Sequence, residues 1–215
     1  MPTAQAGPSS YARIVPVLTV PSVAMADPLA EALAEGGLRC VEVTLRTGEA
    51  ENVLKTMAAH RELTVGAGTV LTAEQARRAV GAGAAFLVSP GFDEDLVAAC
   101  WELGVPLIPG AATATELMCA QRAGIGLVKL FPAERLGGLA TLEALAAPFP
   151  RMRFMPTGGI GADQAAAYLA HPSVSAVGGS WIAPADCLRR GDYSEIRRLA
   201  AQAAKLGAAG RGGES

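Results

Sequence analysis

The stretch CVEVTLRTGEAENVLKTMAAHRELTVGAGTVLTAEQARRAVGAGAAFLVS, residues 40–89, holds three short apolar runs separated by two longer segments. The runs, at 40–45, 63–66 and 86–89, are rich in Val, Leu and Phe and too short to make a helix. Between the last two, at 73–82, Ala and Val recur at helical spacing, with an acidic residue early and arginines later. Short apolar strand, amphipathic helix, short apolar strand is the pattern of parallel β-α units, because a parallel strand can be reached only through a long crossover.

The same alternation extends in both directions. Further apolar runs stand at 14–20, 105–108, 127–130, 153–155 and 174–177, which makes eight. Helical segments are expected at 27–35 and 93–103, and a last one at about 193–206 that ends at Gly207. Eight strands with eight crossovers predict an α/β fold, a single-domain (β/α)₈ TIM barrel over 1–215 with flexible ends at about 1–10 and 207–215. A doubly wound open sheet would carry a Gly-rich fingerprint after its first strand, whereas the first run here ends in Val20-Pro21. In such barrels the active site lies where the strands end, so the residues at those ends bear on function.

Bulk properties narrow the function classes. With 51% hydrophobic and 18% charged residues, the 215-residue chain has the composition of a globular protein with a large core. A net charge of −2 gives no electrostatic footprint for nucleic acid or an anionic membrane surface, so any phosphate binding must be local. Cys40, Cys100, Cys119 and Cys187 form no C-x-x-C pair and suggest reduced, buried thiols in a cytoplasm. The N-terminus lacks the basic and apolar segments of a signal peptide, and no apolar stretch approaches the length of a membrane span. His60 and His171 are the only histidines and belong to no metal-ligand pattern, so neither a metal nor another cofactor is expected.

Lysine occurs only at Lys55, Lys129 and Lys205, and of these Lys129 alone falls on a strand, Gly126-Leu127-Val128-Lys129-Leu130-Phe131-Pro132. Alternation puts Val128 and Leu130 on one face and Lys129 on the other. If that second face is the barrel lumen, burial disfavours the ammonium form and frees an amine able to attack a ketone. The competing reading is a structural lysine, snorkelling or ion-paired.

On the second strand, Glu42, Thr44 and Arg46 share a face. The carboxylate there could move protons while the guanidinium clamps a substrate carboxylate; alternatively Glu42 and Arg46 could simply neutralise each other. Strand ends elsewhere carry small residues: Gly66-Ala67-Gly68-Thr69, Ser89-Pro90-Gly91 and Pro109-Gly110-Ala111, which can also be read as ordinary turns. Pro156-Thr157-Gly158-Gly159-Ile160 and Gly178-Gly179-Ser180-Trp181 end the seventh and eighth strands, where barrels of this kind commonly bind phosphate through glycine amides.

Taken in order, Glu42-Val43-Thr44-Leu45-Arg46-Thr47, Gly66-Ala67-Gly68-Thr69-Val70, Ser89-Pro90-Gly91, Lys129-Leu130-Phe131-Pro132-Ala133-Glu134, Pro156-Thr157-Gly158-Gly159-Ile160 and Gly178-Gly179-Ser180-Trp181 resemble the 2-keto-3-deoxy-6-phosphogluconate (KDPG) and 4-hydroxy-2-oxoglutarate aldolase family, from about Arg13 to Tyr193. The resemblance implies a Schiff-base lyase that cleaves KDPG to pyruvate and glyceraldehyde 3-phosphate. It implies Lys129 as the imine-forming residue, Glu42 as acid and base, Arg46 and Thr69 at the pyruvate carboxylate, and Pro90, Phe131 and Thr157 along the substrate. Gly158, Gly159, Gly179 and Ser180 would hold the phosphate, and the assembly would be a homotrimer with a small-molecule substrate as its only other partner. Thr113-Ala114-Thr115-Glu116 departs from the family's usual Thr-Pro-Thr-Glu or Thr-Val-Ser-Glu, which leaves stereochemical preference open. Alternatives are an aldolase for 4-hydroxy-2-oxoglutarate or the galactonate epimer, a phosphate-sugar isomerase, epimerase or decarboxylase using Glu42 without an imine, and a non-catalytic phosphate-binding module.

Overall fold

A computed structural model describes residues 12–209, so the expected mobility of about 1–10 and of 210–215 lies outside the described residues. Strands and helices alternate along them. β1 (Ile14–Leu18), β2 (Cys40–Thr44), β3 (Thr64–Gly68) and β4 (Phe86–Val88) are separated by α1 (Ala26–Glu35), α2 (Ala50–Ala58) and α3 (Ala73–Gly81). After α4 (Glu94–Leu103) come β5 (Leu107–Ile108) and β6 (Gly110–Ala111), then α5 (Ala114–Arg122), β7 (Leu127–Leu130), α6 (Gly138–Ala146) and β8 (Arg153–Phe154). α7 (Ala162–Ala170), β9 (Val177–Gly179), α8 (Ala185–Arg190) and α9 (Tyr193–Ala209) complete the order.

Local chemistry sets many of these boundaries. The side chains of Thr72, Asp93 and Thr113 accept from the backbone N–H of Gln75, Leu96 and Glu116, capping α3, α4 and α5 at the ends that face the strand termini. α4 stops at Gly104, whose φ of +66° is the left-handed conformation that glycine adopts without a Cβ penalty.

All strand pairs among the described residues are parallel. A six-stranded sheet runs β5-β4-β3-β2-β1-β9 and a three-stranded sheet runs β6-β7-β8. The fold is thus α/β with a curled parallel sheet, as expected in class. It differs from the expected unbroken ladder of eight strands in two ways. The fifth run, expected at 105–108, is a strand only at Leu107–Ile108, and beyond Pro109, which has no N–H to donate, an additional short strand follows, so β5 pairs with β4 and β6 with β7. The last strand begins later than expected, at Val177, and its run meets the seventh only through isolated bridges, Phe154 to Val174 and Thr157 to Gly178. A further difference is that α9 does not end at Gly207 but continues to Ala209. No helix among the described residues is long and apolar enough to cross a membrane.

Two apolar clusters line opposite faces of the strands. The larger joins Val41, Val43, Leu87, Val128, Leu130 and others to the helices; the smaller is Val15, Cys40, Phe86, Val88, Ile108, Met155 and Ala176. Alternate strand residues thus fall in different clusters, as a period of two requires. The ring of Phe86 fills the space over Gly66, where a Cβ would lie 2.2 Å from its Cε2. Cys40 and Glu42 share the inner face of β2, and Leu127 and Lys129 share that of β7, so both charged groups point to the side of the smaller cluster.

Burial pushes the Cys40 thiol up to about 12, with the Glu42 charge adding to it, and burial alone pushes Cys100 to about 11. Since the thiolate is the nucleophile, native protein at about pH 8 should leave both unreactive to iodoacetamide and label them readily once unfolded. The folded state holds these protons more tightly, so their contribution to stability is present below the ordinary thiol range and is lost as pH rises toward 12. Urea midpoints measured from about pH 8 upward should fall less steeply in Cys40→Ala than in the parent protein.

Candidate active site

Lys129 and Glu42 meet inside the sheet. Lys129 Nζ donates to Glu42 Oε1 at 3.0 Å and lies 3.4 Å from Oε2, with the two residues 3% and 0% exposed. The strands β2 and β7 belong to different sheets, and 87 residues separate the pair in sequence. A bare charge at either position would be costly, because a buried ion needs a partner to offset lost hydration. The Lys129 ammonium also stands 5.4 Å from the centroid of the Phe131 ring, within cation–π range.

Glu42 reaches this position because Gly68 has no side chain. A Cβ on Gly68 would sit 2.0 Å from Glu42 Oε1, and the register of β2 with β3 sets Glu42 opposite Gly66 and Thr44 opposite Gly68. The small residues that end β3 therefore make room for protein groups, Glu42 and Phe86. Thr44, next on that face, donates from Oγ1 to Leu18 O at 2.9 Å and sits 2.9 Å from Thr19 Oγ1, which ties the end of β2 to that of β1.

Arg46 does not neutralise Glu42. Its Nε donates to Thr69 Oγ1 at 3.1 Å, which brings together the two residues predicted for a substrate carboxylate. Thr69 has φ +59°, a left-handed conformation that a β-branched residue rarely adopts and that costs on the order of 1–3 kcal/mol. The strain turns the chain sharply after Gly68, and the hydroxyl ends beside the guanidinium.

The glycine pairs after β8 and β9 are also adjacent. Gly178 N–H donates to Pro156 O at 2.9 Å, and a Cβ on Gly178 would lie 2.3 Å from Thr157 Oγ1. Thr157, buried, donates to Met155 O at 3.2 Å. Gly158 and Gly159 have φ of +101° and +82°. A Cβ on Gly158 would lie 3.2 Å from the Phe131 ring, so the ring beside Lys129 also abuts the Gly158-Gly159 turn. On the other side, Gly179 is covered by the Trp181 indole, and Ser180 is exposed at the end of β9.

Pro90 is exposed, and its carbonyl abuts Gly110, where a Cβ would come within 2.0 Å; Gly110 in turn pairs with Lys129 across β6 and β7. Ser89 Oγ donates to Gly91 O at 2.6 Å and holds that turn. The expected site residues thus form a run of neighbours, from Arg46 and Thr69 through Gly68, Glu42, Lys129 and Phe131 to Gly158. His60 stands apart from that run, 2.9 Å from Asp27 Oδ1, and His171 Nδ1 accepts from Ser173 N–H at 3.1 Å.

The sequence reading missed the support beneath the Gly158-Gly159 turn. Glu134 N–H donates to Gly158 O at 3.1 Å, and its carboxylate accepts from Tyr168 Oη at 2.6 Å and from Gln164 Nε2 at 2.8 Å. Glu134 was quoted only as the end of a motif, and Gln164 and Tyr168 carried no signal, being ordinary helix residues on α7.

Comparison with known proteins identifies a family. The family model for KDPG and KHG aldolases matches residues 9–199. A 2-dehydro-3-deoxy-phosphogluconate aldolase of Treponema pallidum (strain Nichols) is 49% identical over 195 residues, 90% of this chain and 93% of the relative. Two crystal structures superpose closely. The KDPG aldolase of Legionella pneumophila, with pyruvate captured at low pH as a covalent carbinolamine intermediate, has a TM-score of 0.89 at 38% identity over 93% of this chain and 99% of its own. The 2-keto-3-deoxy-6-phosphogluconate aldolase of Zymomonas mobilis ZM4 with 3-phosphoglycerate has a TM-score of 0.87 at 42% identity, over 92% of this chain and 93% of its own. With nine-tenths of the sequence aligned at near half identity, and an apolar strand that carries a buried lysine against a carboxylate, the chain belongs to the KDPG and KHG aldolase family.

Proposed function

We propose that this chain is a class I aldolase that reversibly cleaves 2-keto-3-deoxy-6-phosphogluconate to pyruvate and D-glyceraldehyde 3-phosphate. The observation that carries the reading is the buried contact of Lys129 Nζ with Glu42 Oε1 at 3.0 Å. The relatives named above act on this phosphorylated keto acid, and pyruvate in the Legionella enzyme was captured covalently. Because the matching family also covers KHG aldolases, 4-hydroxy-2-oxoglutarate is a second candidate substrate.

In this reading the Lys129 ammonium passes a proton to Glu42, and the free amine attacks the C2 ketone to give a carbinolamine. Loss of water, with its oxygen protonated by Glu42, leaves a protonated imine. The Glu42 carboxylate then removes the C4 hydroxyl proton, directly or through a water. The C3–C4 bond breaks, its electron pair enters the iminium as an enamine, and glyceraldehyde 3-phosphate departs. Protonation of C3 and hydrolysis of the imine release pyruvate and restore the amine. Arg46, held through Nε by Thr69, keeps its terminal nitrogens for the substrate carboxylate. The amides of Gly158, Gly159 and Gly179 and the Ser180 hydroxyl take the phosphate at the other end, and Pro90, Phe131 and Thr157 line the path between.

The same reading takes the chain as one domain in which the two sheets close into an eight-stranded (β/α)₈ barrel. The bridges Phe154–Val174 and Thr157–Gly178, and the donation of Lys129 N–H to Pro109 O at 2.8 Å, support that closure. It also carries the homotrimer and the cytoplasmic setting implied by the family resemblance.

Incubation with pyruvate and borohydride should leave a reduced adduct on Lys129, located by mass spectrometry of peptides; a parent enzyme that traps nothing sinks the imine mechanism. Lys129→Ala should abolish turnover and cost about 3–5 kcal/mol of stability, since it strands a buried carboxylate. The pair Lys129→Met and Glu42→Gln should recover most of that stability and none of the activity.

Gly68→Ala tests the carboxylate's position alone. Its Cβ would displace Glu42 Oε1, and kcat/KM should fall about 100-fold with the fold retained. An unchanged kcat/KM would remove Glu42 as the proton carrier.

A further inference from the structure

Beyond the residues assigned above, the molecule holds a few other features. A cavity of about 210 Å³ between the start of β1 and the end of α9 is lined by Ala12, Arg13, Leu38 and Arg39, and nothing on it indicates an occupant. The exposed Trp101 on α4 and Met118 on α5 show no partner chemistry. The cluster that points to a role is the one under the Gly158-Gly159 turn.

Three side chains from two separate parts of the chain converge there. Glu134 follows β7 by four residues, in the 3₁₀ turn Glu134–Leu136, while Gln164 and Tyr168 lie one helical turn apart on α7. Glu134 touches the glycine turn in three ways. Its N–H holds Gly158 O at 3.1 Å, and the preceding Ala133 N–H holds Thr157 O at 2.9 Å. Its Cβ fills the space over Gly159, where an added Cβ would come within 2.9 Å. Its carboxylate orients Gln164, whose other end, Oε1, accepts from Gly161 N–H at 2.7 Å.

The backbone from Thr157 to Gly161 is therefore held at each end, and its two glycines adopt positive φ between those holds. A carboxylate beside an anion site would by itself repel the anion. Here both of its oxygens are engaged, Oε1 by the Tyr168 hydroxyl at 2.6 Å and Oε2 by the Gln164 amide at 2.8 Å. Tyr168 is 2% exposed, and burial together with the Glu134 hydrogen bond holds its hydroxyl well above the ordinary tyrosine range, so it remains a donor.

We infer that Glu134 is a positioning residue for phosphate recognition: with Gln164 and Tyr168 it holds the Gly158-Gly159 amides in the geometry that accepts the substrate's distal phosphate, without touching substrate itself. The inference rests on the phosphate assignment made under the proposed function. It predicts that the network serves one half of the substrate. Formation of the pyruvate imine and enamine depends on Lys129 and Glu42, so it does not need the network.

The test compares Glu134→Ala, Gln164→Ala and Tyr168→Phe with the parent enzyme in two assays. The first is cleavage of the phosphorylated keto acid, with inorganic phosphate as competing anion. The second is solvent deuterium exchange into the methyl group of pyruvate, which reads imine and enamine formation with no phosphate present. Glu134→Ala should raise KM for the phosphorylated substrate about ten-fold and weaken inhibition by phosphate, while exchange stays within about two-fold. Gln164→Ala should move the same two quantities in the same direction, and the double variant should be less than additive, as members of one network are. Glu134→Gln keeps the size and one acceptor oxygen and should recover part of the loss.

If Glu134→Ala leaves KM unchanged, or lowers exchange in step with cleavage, the positioning role is refuted. If Glu134→Ala does not fold, Gln164→Ala decides by the same criteria. Should the parent enzyme itself fail to exchange pyruvate, the aldolase reading falls first. A parent that exchanges pyruvate but is indifferent to phosphate refutes the phosphate assignment and this inference with it.

Discussion

The contact on which the rest depends is a single buried ion pair, Lys129 with Glu42. Neither residue could stand alone at that depth. Their mutual attraction offsets lost hydration only because the geometry is short and both groups hydrogen-bond. Such a pair is poor evidence for stability, since apolar residues of similar volume often serve a core as well or better. What it sets is an amine and a carboxylate 3.0 Å apart, both buried. Gly68 is the condition for it, because any side chain there would occupy the place of the carboxylate.

From that pair the site extends in two directions, and different physics holds each arm. Toward β3, Arg46 is oriented by Thr69, whose strained backbone is kept by the surrounding β2 and β3 ladder. Toward β8, two glycines with positive φ, Gly158 and Gly159, carry no strain of that kind, but they also carry no stiffness of their own. Rigidity there has to come from neighbours. Phe131 packs on one side of the turn and Glu134 on the other, and both leave β7 in the same short segment as Lys129. One stretch of seven residues, 128–134, thus sets the buried lysine, the ring beside it and the brace under the glycine turn.

Much of this was legible in the residue order. Scarcity singled out Lys129, and period-two alternation separated it from Val128 and Leu130, which pack toward the helices as expected. The pairing of Glu42 was not legible. Glu42 and Arg46 lie closer in sequence and share a face, yet Glu42 meets a lysine 87 residues away, because sheet curvature brings β2 and β7 together and sequence spacing along one strand does not report it. The fifth strand was expected to end before Pro109, but the short strand Gly110–Ala111 beyond it was not legible, since Pro109-Gly110-Ala111 reads as an ordinary turn. Gly207 was read as a helix stop, yet a glycine inside a helix costs only about 1 kcal/mol, and α9 runs through it with Gly207 buried. The brace of Glu134, Gln164 and Tyr168 could not be seen, as its parts are polar and aromatic residues of kinds common on any helix face.

The strands also explain why polar and apolar groups occupy different positions along the same inner face. Along the inner face of β2, Cys40 gives way to Glu42; along β7, Leu127 gives way to Lys129; beyond β8, Met155 gives way to Thr157. Each change takes two residues, roughly 6–7 Å along a strand. Val15, Cys40, Phe86, Val88, Ile108, Met155 and Ala176 form one apolar cluster on that face, and Glu42, Lys129 and Thr157 are buried on the same face. The apolar cluster keeps the dielectric low beside the ion pair, which strengthens the attraction between its members. It also fixes register, because a slip of one residue in any of these strands would turn the inner residues toward the helices and bring Val41 or Val128 inward. Packing of that cluster is therefore what makes glycines, one strained threonine and a buried ion pair tolerable, and the site's precision is inherited from it.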